Sequence, residues 1–139
     1  MIRKLLMFGN LLVIFLFGSC SRNERLYKIT IRHGKQCGFI NYDGKMVIPA
    51  EYSYVYDFTE GWACVEKDNQ SFYIDKDNRI VLIPEVSNTM PFSEGYAVAS
   101  KDLKYGFINK NGKIVISLSY DYAKAFKDDV AWVKKGEKW

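Results

Sequence analysis

Nucleophilic and metal chemistry draw on histidine, cysteine and paired carboxylates, and this 139-residue chain holds one His and three Cys. His33 and Cys37 stand close enough in sequence for an imidazole to activate a thiol, but no third group recurs to orient the pair. Glu60 and Glu94 each precede a glycine, the pattern of a turn rather than of an acid–base pair, and the same slot becomes Asp128 further on. HExxH and CxxC spacings and phosphate-cradling Gly-rich loops are absent. No catalytic residue, metal site or cofactor is therefore expected. Cys37 and Cys64 occupy slots filled elsewhere by packing residues and read as buried free thiols, a disulfide outside the cytoplasm being the alternative.

The chemistry that remains is that of aromatic surfaces. Tyr52, Tyr54, Tyr56, Trp62, Tyr120 and Tyr122 cluster in and beside two loop regions and form a candidate ligand platform, of the kind on which a sugar ring stacks. The competing reading makes them half-buried supports with a wet hydroxyl, the usual state of tyrosine in β-proteins. The chain is 48% hydrophobic and 26% charged, which suits one folded domain. Its formal charge of +4 includes Arg3 and Lys4. Without them, 18 basic side chains face 16 acidic ones. No nucleic-acid partner is expected from such a balance.

Arg3 and Lys4 open an N-terminal segment whose apolar run, residues 5–17, is interrupted only by Gly9 and Asn10. A membrane span needs about 20 apolar residues, so this run is too short to cross and fits the core of a signal peptide. It ends in Phe17-Gly18-Ser19-Cys20, which resembles the bacterial lipoprotein box, with Phe17 where Leu is usual. That resemblance implies cleavage before Cys20 and acylation of its thiol. The protein would then sit in the cell envelope, lipid-anchored to the membrane, with the outer membrane or periplasmic side favoured. An ordinary secreted protein or an uncleaved anchor is the alternative. Residues 1–19 are thus read as signal peptide, and residues 20–33 as lipidated Cys20, tether and lead-in strand.

What must position the aromatic residues is a repeat. Shifting the sequence by 34 aligns Phe39, Tyr73 and Phe107, then Ile40, Ile74 and Ile108. Asn41, Asp75 and Asn109 follow, with Gly44, Asn78 and Gly112 at a turn. Phe58, Phe92 and Phe126 also align, as do Ala63, Ala97 and Ala131, with no gap anywhere. Short β-branched and aromatic runs alternate with turn residues, and nothing sustains a helical period. Asp43-Gly44 and Asn111-Gly112 predict hairpin turns with positive φ. Pro49 and Pro84 predict strand ends. Each unit therefore reads as a three-stranded β-meander, the units spanning 34–69, 70–103 and 104–137.

Tyr105-Gly106-Phe107-Ile108-Asn109, followed by Gly112-Lys113-Ile114-Val115-Ile116, resembles the WG repeat of bacterial proteins. The Trp slot of that pattern holds Cys37, Ser71 and Tyr105 here, and its Gly slot holds Gly38, Phe72 and Gly106. The resemblance covers residues 34–139 and implies a β-repeat architecture, with little said of chemistry. Trp139 falls on the Trp slot of a fourth unit. A truncated reading frame is the favoured expectation, and recruitment of the stub as a closing strand is the alternative.

Strand alternation places apolar residues on both faces: Ala63 and Val65 on one, Trp62 and Cys64 on the other. A sheet with one wet face does not have this pattern. The expectation is an all-β protein of tandem 34-residue meanders, stacked as an open curved sheet or β-solenoid-like array, with a closed propeller as the poorer alternative. Phe58, Phe92 and Phe126 are expected in the core. For function, the leading expectation is a non-catalytic, envelope-anchored binding or scaffolding module for a protein or glycan. The second is a structural spacer, or a remnant of a longer repeat protein, and an envelope hydrolase ranks third.

Overall fold

The structure, a computed structural model, describes residues 25–31 and 36–139. These residues form thirteen strands in four antiparallel sheets and contain no helix. The first sheet holds β1 (Tyr27–Ile31), β2 (Gln36–Ile40) and β3 (Met46–Tyr52) in that order. The second runs β4 (Tyr54–Val55), β5 (Ala63–Lys67), β6 (Gln70–Ile74), β7 (Ile80–Leu82). The third comprises β8 (Asn88–Thr89), β9 (Tyr96–Lys101), β10 (Lys104–Asn109) and β11 (Ile114–Tyr120). The last pairs β12 (Tyr122–Ala123) with β13 (Val133–Lys134).

The all-β repeat array is as expected, but the hydrogen-bonded sheets are out of phase with the sequence repeats. The middle strand of each meander bends and changes sheet, which is how corners form between packed sheets. β3 pairs with β2, whereas β4, one residue further on, pairs with β5. The third strand of one repeat then joins the first strand of the next through a two-residue hairpin. Those hairpins, Asp68-Asn69 and Asp102-Leu103, have φ of 52° and 61°, and of 51° and 59°. Both central residues of each are left-handed, which matches the twist of the flanking strands.

Because sheets stack face to face, alternation within one strand feeds two cores. Ala63, Val65, Phe72 and Ile74 face a core shared with Phe39, Ile48 and Tyr52 of the first sheet. Their neighbours Cys64 and Tyr73 face the opposite core with Phe92, Ala97, Ala99 and Ile108. Val98 and Phe107 then meet Ala123, Phe126 and Val133 in a third. Both faces of the second and third sheets are thus covered. Phe92 is fully in the core, while Phe58 and Phe126 pack against it partly buried.

Two local readings are corrected. At the Asp-Gly and Asn-Gly turns only the glycine is left-handed, Gly44 and Gly112 each at φ 76°, with Asn78 at 61° in the middle unit. The preceding turn is held instead by a side chain. Asn41 Oδ1 accepts the N–H of Lys45, and Asn109 Oδ1 accepts those of Asn111 and Lys113. Asp75 Oδ1 does the same for Asp77 and Arg79. Nor does Pro49 end its strand. It sits inside β3, in a bulge where Cys37 and Phe39 are matched to Tyr52 and Ile48. A bulge leaves the proline's missing N–H without consequence.

That bulge explains the glycine of the repeat. A Cβ on Gly38 would lie 2.5 Å from the Ile48 carbonyl oxygen and 2.7 Å from that of Pro49. At Gly106 it would meet the carbonyl oxygens of Ile116 and Ser117. In the middle unit the slot holds Phe72, β7 stops at Leu82, and residues 83–87 leave the sheet. Gly106→Ala should therefore cost about 1–3 kcal/mol of unfolding free energy. Leu103 is 87% exposed and left-handed, so Leu103→Gly should raise stability by about 1 kcal/mol. Chemical denaturation of the two variants checks both signs.

Candidate functional site

The polar feature that recurs with the repeat is a carboxylate aimed at a turn. Glu60-Gly61, Glu94-Gly95 and Asp128-Asp129 are the central pairs of two-residue turns, and all six residues have positive φ. Such turns point successive N–H groups outward, which suits an anion. The Glu60 carboxylate accepts the N–H of Gly95 at 3.1 and 3.3 Å, and Lys110 Nζ stands 3.1 Å from it. One repeat on, the Glu94 carboxylate accepts the N–H groups of Asp128 and Asp129 at 2.8 and 3.0 Å. The Glu-Gly pattern is a turn, as its sequence implies, but its side chain serves the next repeat's turn. Burial pushes the Glu60 carboxyl up, and the Gly95 N–H and Lys110 outweigh it, so its pKa is lowered.

The six platform residues do not converge. Tyr52 is a correction: it is 4% exposed, packs edge-on against Phe72 and donates its hydroxyl to Asn78 Oδ1 at 2.6 Å. Burial first, and Glu51 second, raise its pKa. Trp62 is another correction. Its indole is pinned between Phe92, Tyr73 and the Lys110 ammonium, 5.3 Å from the ring centre, and it offers no free platform. Tyr54 is exposed and meets the partly buried Tyr56 edge-on at 4.9 Å. Tyr120 is partly buried, its Cα opposite Tyr105. Cys20 and His33 lie outside the described residues.

Only Tyr122 reaches an aromatic groove. Its ring stands 5.8 Å from Trp139 and 5.8 Å from Tyr105. Asp121, Tyr122, Lys124, Lys134, Gly136 and Trp139 line an open cavity of about 600 Å³. Lys124 and Lys134 place their ammonium groups 5.4 and 6.0 Å from the Trp139 ring centre. Asp121 anchors the floor, accepting Lys104 Nζ and the Gly136 N–H, and both hold its carboxyl below the ordinary value. Val130 and Trp132 extend the exposed apolar surface nearby, at 54% and 61%. The signal in the sequence was Trp132, a large residue in the slot of Cys64 and Val98.

The arrangement can hold an aromatic or acidic surface but sets no nucleophile against a base. No group of three or more His, Cys, Asp or Glu that could hold a metal occurs among the described residues. Both Cys37 and Cys64 are buried free thiols, in different cores. Burial, with Glu66 second, pushes the Cys64 thiol up to about 12, and it donates to the Thr89 carbonyl.

The model of the WG containing repeat matches the chain three times, at residues 38–70, 72–105 and 105–139. The chain belongs to this family. The matches continue through the middle unit although Phe72 and Ser71 replace its namesake pair. No curated protein and no solved structure matches the chain. Family membership assigns the architecture; the chemistry must come from the surfaces just described.

The ladder carboxylate gives a pH test. A lowered pKa means that Glu60 stabilises the fold above its unfolded value, about 4.3, and that this contribution is lost as pH falls through the folded value. Glu60→Gln should be less stable by about 1 kcal/mol at neutral pH. The gap to wild type should narrow as pH falls below the unfolded value and close once it passes the lower folded one. Thermal melts of both proteins across this range read it directly.

Proposed function

We propose that this WG-repeat chain is a non-catalytic binding or scaffolding module, anchored in a bacterial envelope through acylated Cys20. The signal-like segment and the small-small-Cys sequence support the anchor. What carries the binding role is the exposed pair Tyr122 and Trp139, 44% and 60% accessible with rings 5.8 Å apart, while Val130 and Trp132 are exposed in the same terminal segment at 54% and 61%. Tryptophan and tyrosine are enriched at the hot spots of protein interfaces, and exposed rings of this kind suit a recognition surface. A protein partner fits better than a glycan, because Lys124 and Lys134 stand against the Trp139 ring that a sugar would need. Their charge favours an acidic rim on that partner.

A second reading makes the chain a structural spacer or part of a longer array with no activity of its own. The register supports it: Trp132 occupies the slot of Cys64 and Val98, which the following sheet covers in the inner units. Photo-cross-linking in cells separates the two, with the reactive residue placed at Trp132 and, as control, at Tyr54. Binding predicts a discrete adduct from position 132 that disappears when Trp139→Ser is added. Equal background from both positions would favour the spacer. Sedimentation with purified cell-wall sacculi tests the glycan arm. Cys20→Ser should move the chain from the membrane fraction to the soluble one.

A further inference from the structure

At the end of the array opposite the aromatic groove, the carboxylate ladder lacks a rung. Two junctions follow one rule: a carboxylate from the preceding turn accepts the N–H groups of the next turn. Glu60 serves Gly95, and Glu94 serves Asp128 and Asp129. For the first junction the 34-residue register places Leu26 in the glutamate slot and Gly61 in the acceptor turn. Leu26 has no oxygen to offer and packs instead against the first core. Among the described residues no group bonds the N–H of Gly61, which is left-handed at φ 88° in the same type of turn as Gly95 at 81°.

The place where a carboxylate would sit is a cavity of about 640 Å³ whose lining includes Arg25, Leu26, Lys28, Asp57, Gly61 and Lys76. Lys76 holds the register position of Lys110, the lysine that stands 3.1 Å from the Glu60 carboxylate in the completed rung. Lys76 has interactions of its own, which leaves Gly61 and Arg25 as the groups that could meet an anion. Among the described residues the one acidic side chain in the lining, Asp57, pairs with Lys28 at 3.3 Å. That leaves the Arg25 guanidinium, which lies 5.7 Å over the Tyr27 ring, as net positive charge. We propose that this cavity binds a small oxyanion, a carboxylate or phosphate, seated on the Gly61 N–H as Glu60 is seated on Gly95.

The full chain, labelled with nitrogen-15 and held in detergent micelles, provides the test. Inorganic phosphate and acetate are titrated separately at constant ionic strength set with chloride. The Gly61 amide proton should move downfield and saturate, while that of Gly95, already bonded to Glu60, stays in place. Arg25→Ala should weaken the response about two- to fivefold, the range of one partly exposed charge. Leu26→Glu should supply the missing rung, abolish the response and leave the Gly61 amide at the saturated position. If that variant does not fold, Arg25→Ala still decides. A Gly61 shift that is linear, or that Gly95 shares, overturns the proposal. So does a Gly61 amide that moves upfield in Glu24→Gln, Glu24 being the acidic residue just outside the described ones, since the chain's own carboxylate would then occupy the site.

Discussion

Every junction in this array is closed by one aromatic pair, and the rest of the architecture follows from where that pair must stand. Phe39 meets Phe58 at 4.9 Å, Tyr73 meets Phe92 at 4.8 Å, and Phe107 meets Phe126 at 5.0 Å. The first member lies on the opening strand of a repeat, the second in the loop after its bent middle strand. Their contact folds the loop back over the sheet just left, so the next sheet must begin on top of it. Such pairs add about 0.5–1.5 kcal/mol beyond the area they bury. Three in register impose the same corner three times, and the corner is what converts a meander into a stack.

Apolar burial has no direction, so it brings two sheets together without fixing how they slide. The polar contacts supply that register. Glu60 and Glu94 reach forward to the next turn, and Tyr52, Asn78, Glu51 and Lys67 tie the first sheet to the second. Tyr73 does the same inside the second core, where its hydroxyl bonds Thr89 and the Met90 carbonyl. Burial there pushes its pKa upward, which keeps the phenol neutral and able to donate. These bonds are modest singly, about 1 kcal/mol each. The Glu60 and Glu94 contacts repeat at the period of the chain, and a one-residue slip would break all of these bonds together.

The period and the two apolar faces were legible from residues alone, because a slot such as Phe39, Tyr73 and Phe107 keeps its chemistry at every return. Sheet phase was not. It depends on a carbonyl lying against Gly38 and Gly106, and sequence shows a glycine there without showing what approaches it. The burial of two aromatic candidates was hidden for a related reason. Tyr52 and Trp62 look like loop aromatics until Phe72 and Asn78, or Phe92 and Lys110, close over them from the neighbouring repeat. The ladder was half visible: Glu60 and Glu94 marked a turn, but the reach of their side chains is a property of stacking. Trp139 was legible as the Trp slot of the repeat, but its contact with the Tyr122 ring was not.

A stack whose inner sheets are covered on both faces has little surface left for recognition. Its short turns have N–H groups already engaged where the ladder is complete, and the first and last described sheets each keep one uncovered face. Those faces differ. The first sheet turns outward Tyr27, Ile29 and Ile40, the last of these at the slot where Ile74 and Ile108 are fully buried. The last sheet turns outward Tyr122 and Lys134, with Trp132 and Trp139 beside them. At one slot the small, buried Cys64 and Val98 of the inner units are replaced by the exposed ring of Trp132. Substituting tryptophan for the Cys64 and Val98 type at an inner junction would overfill a packed core. At an end it enlarges a surface without that cost. Repetition builds the body of this protein, and a departure from it such as Trp132 changes what its surface presents.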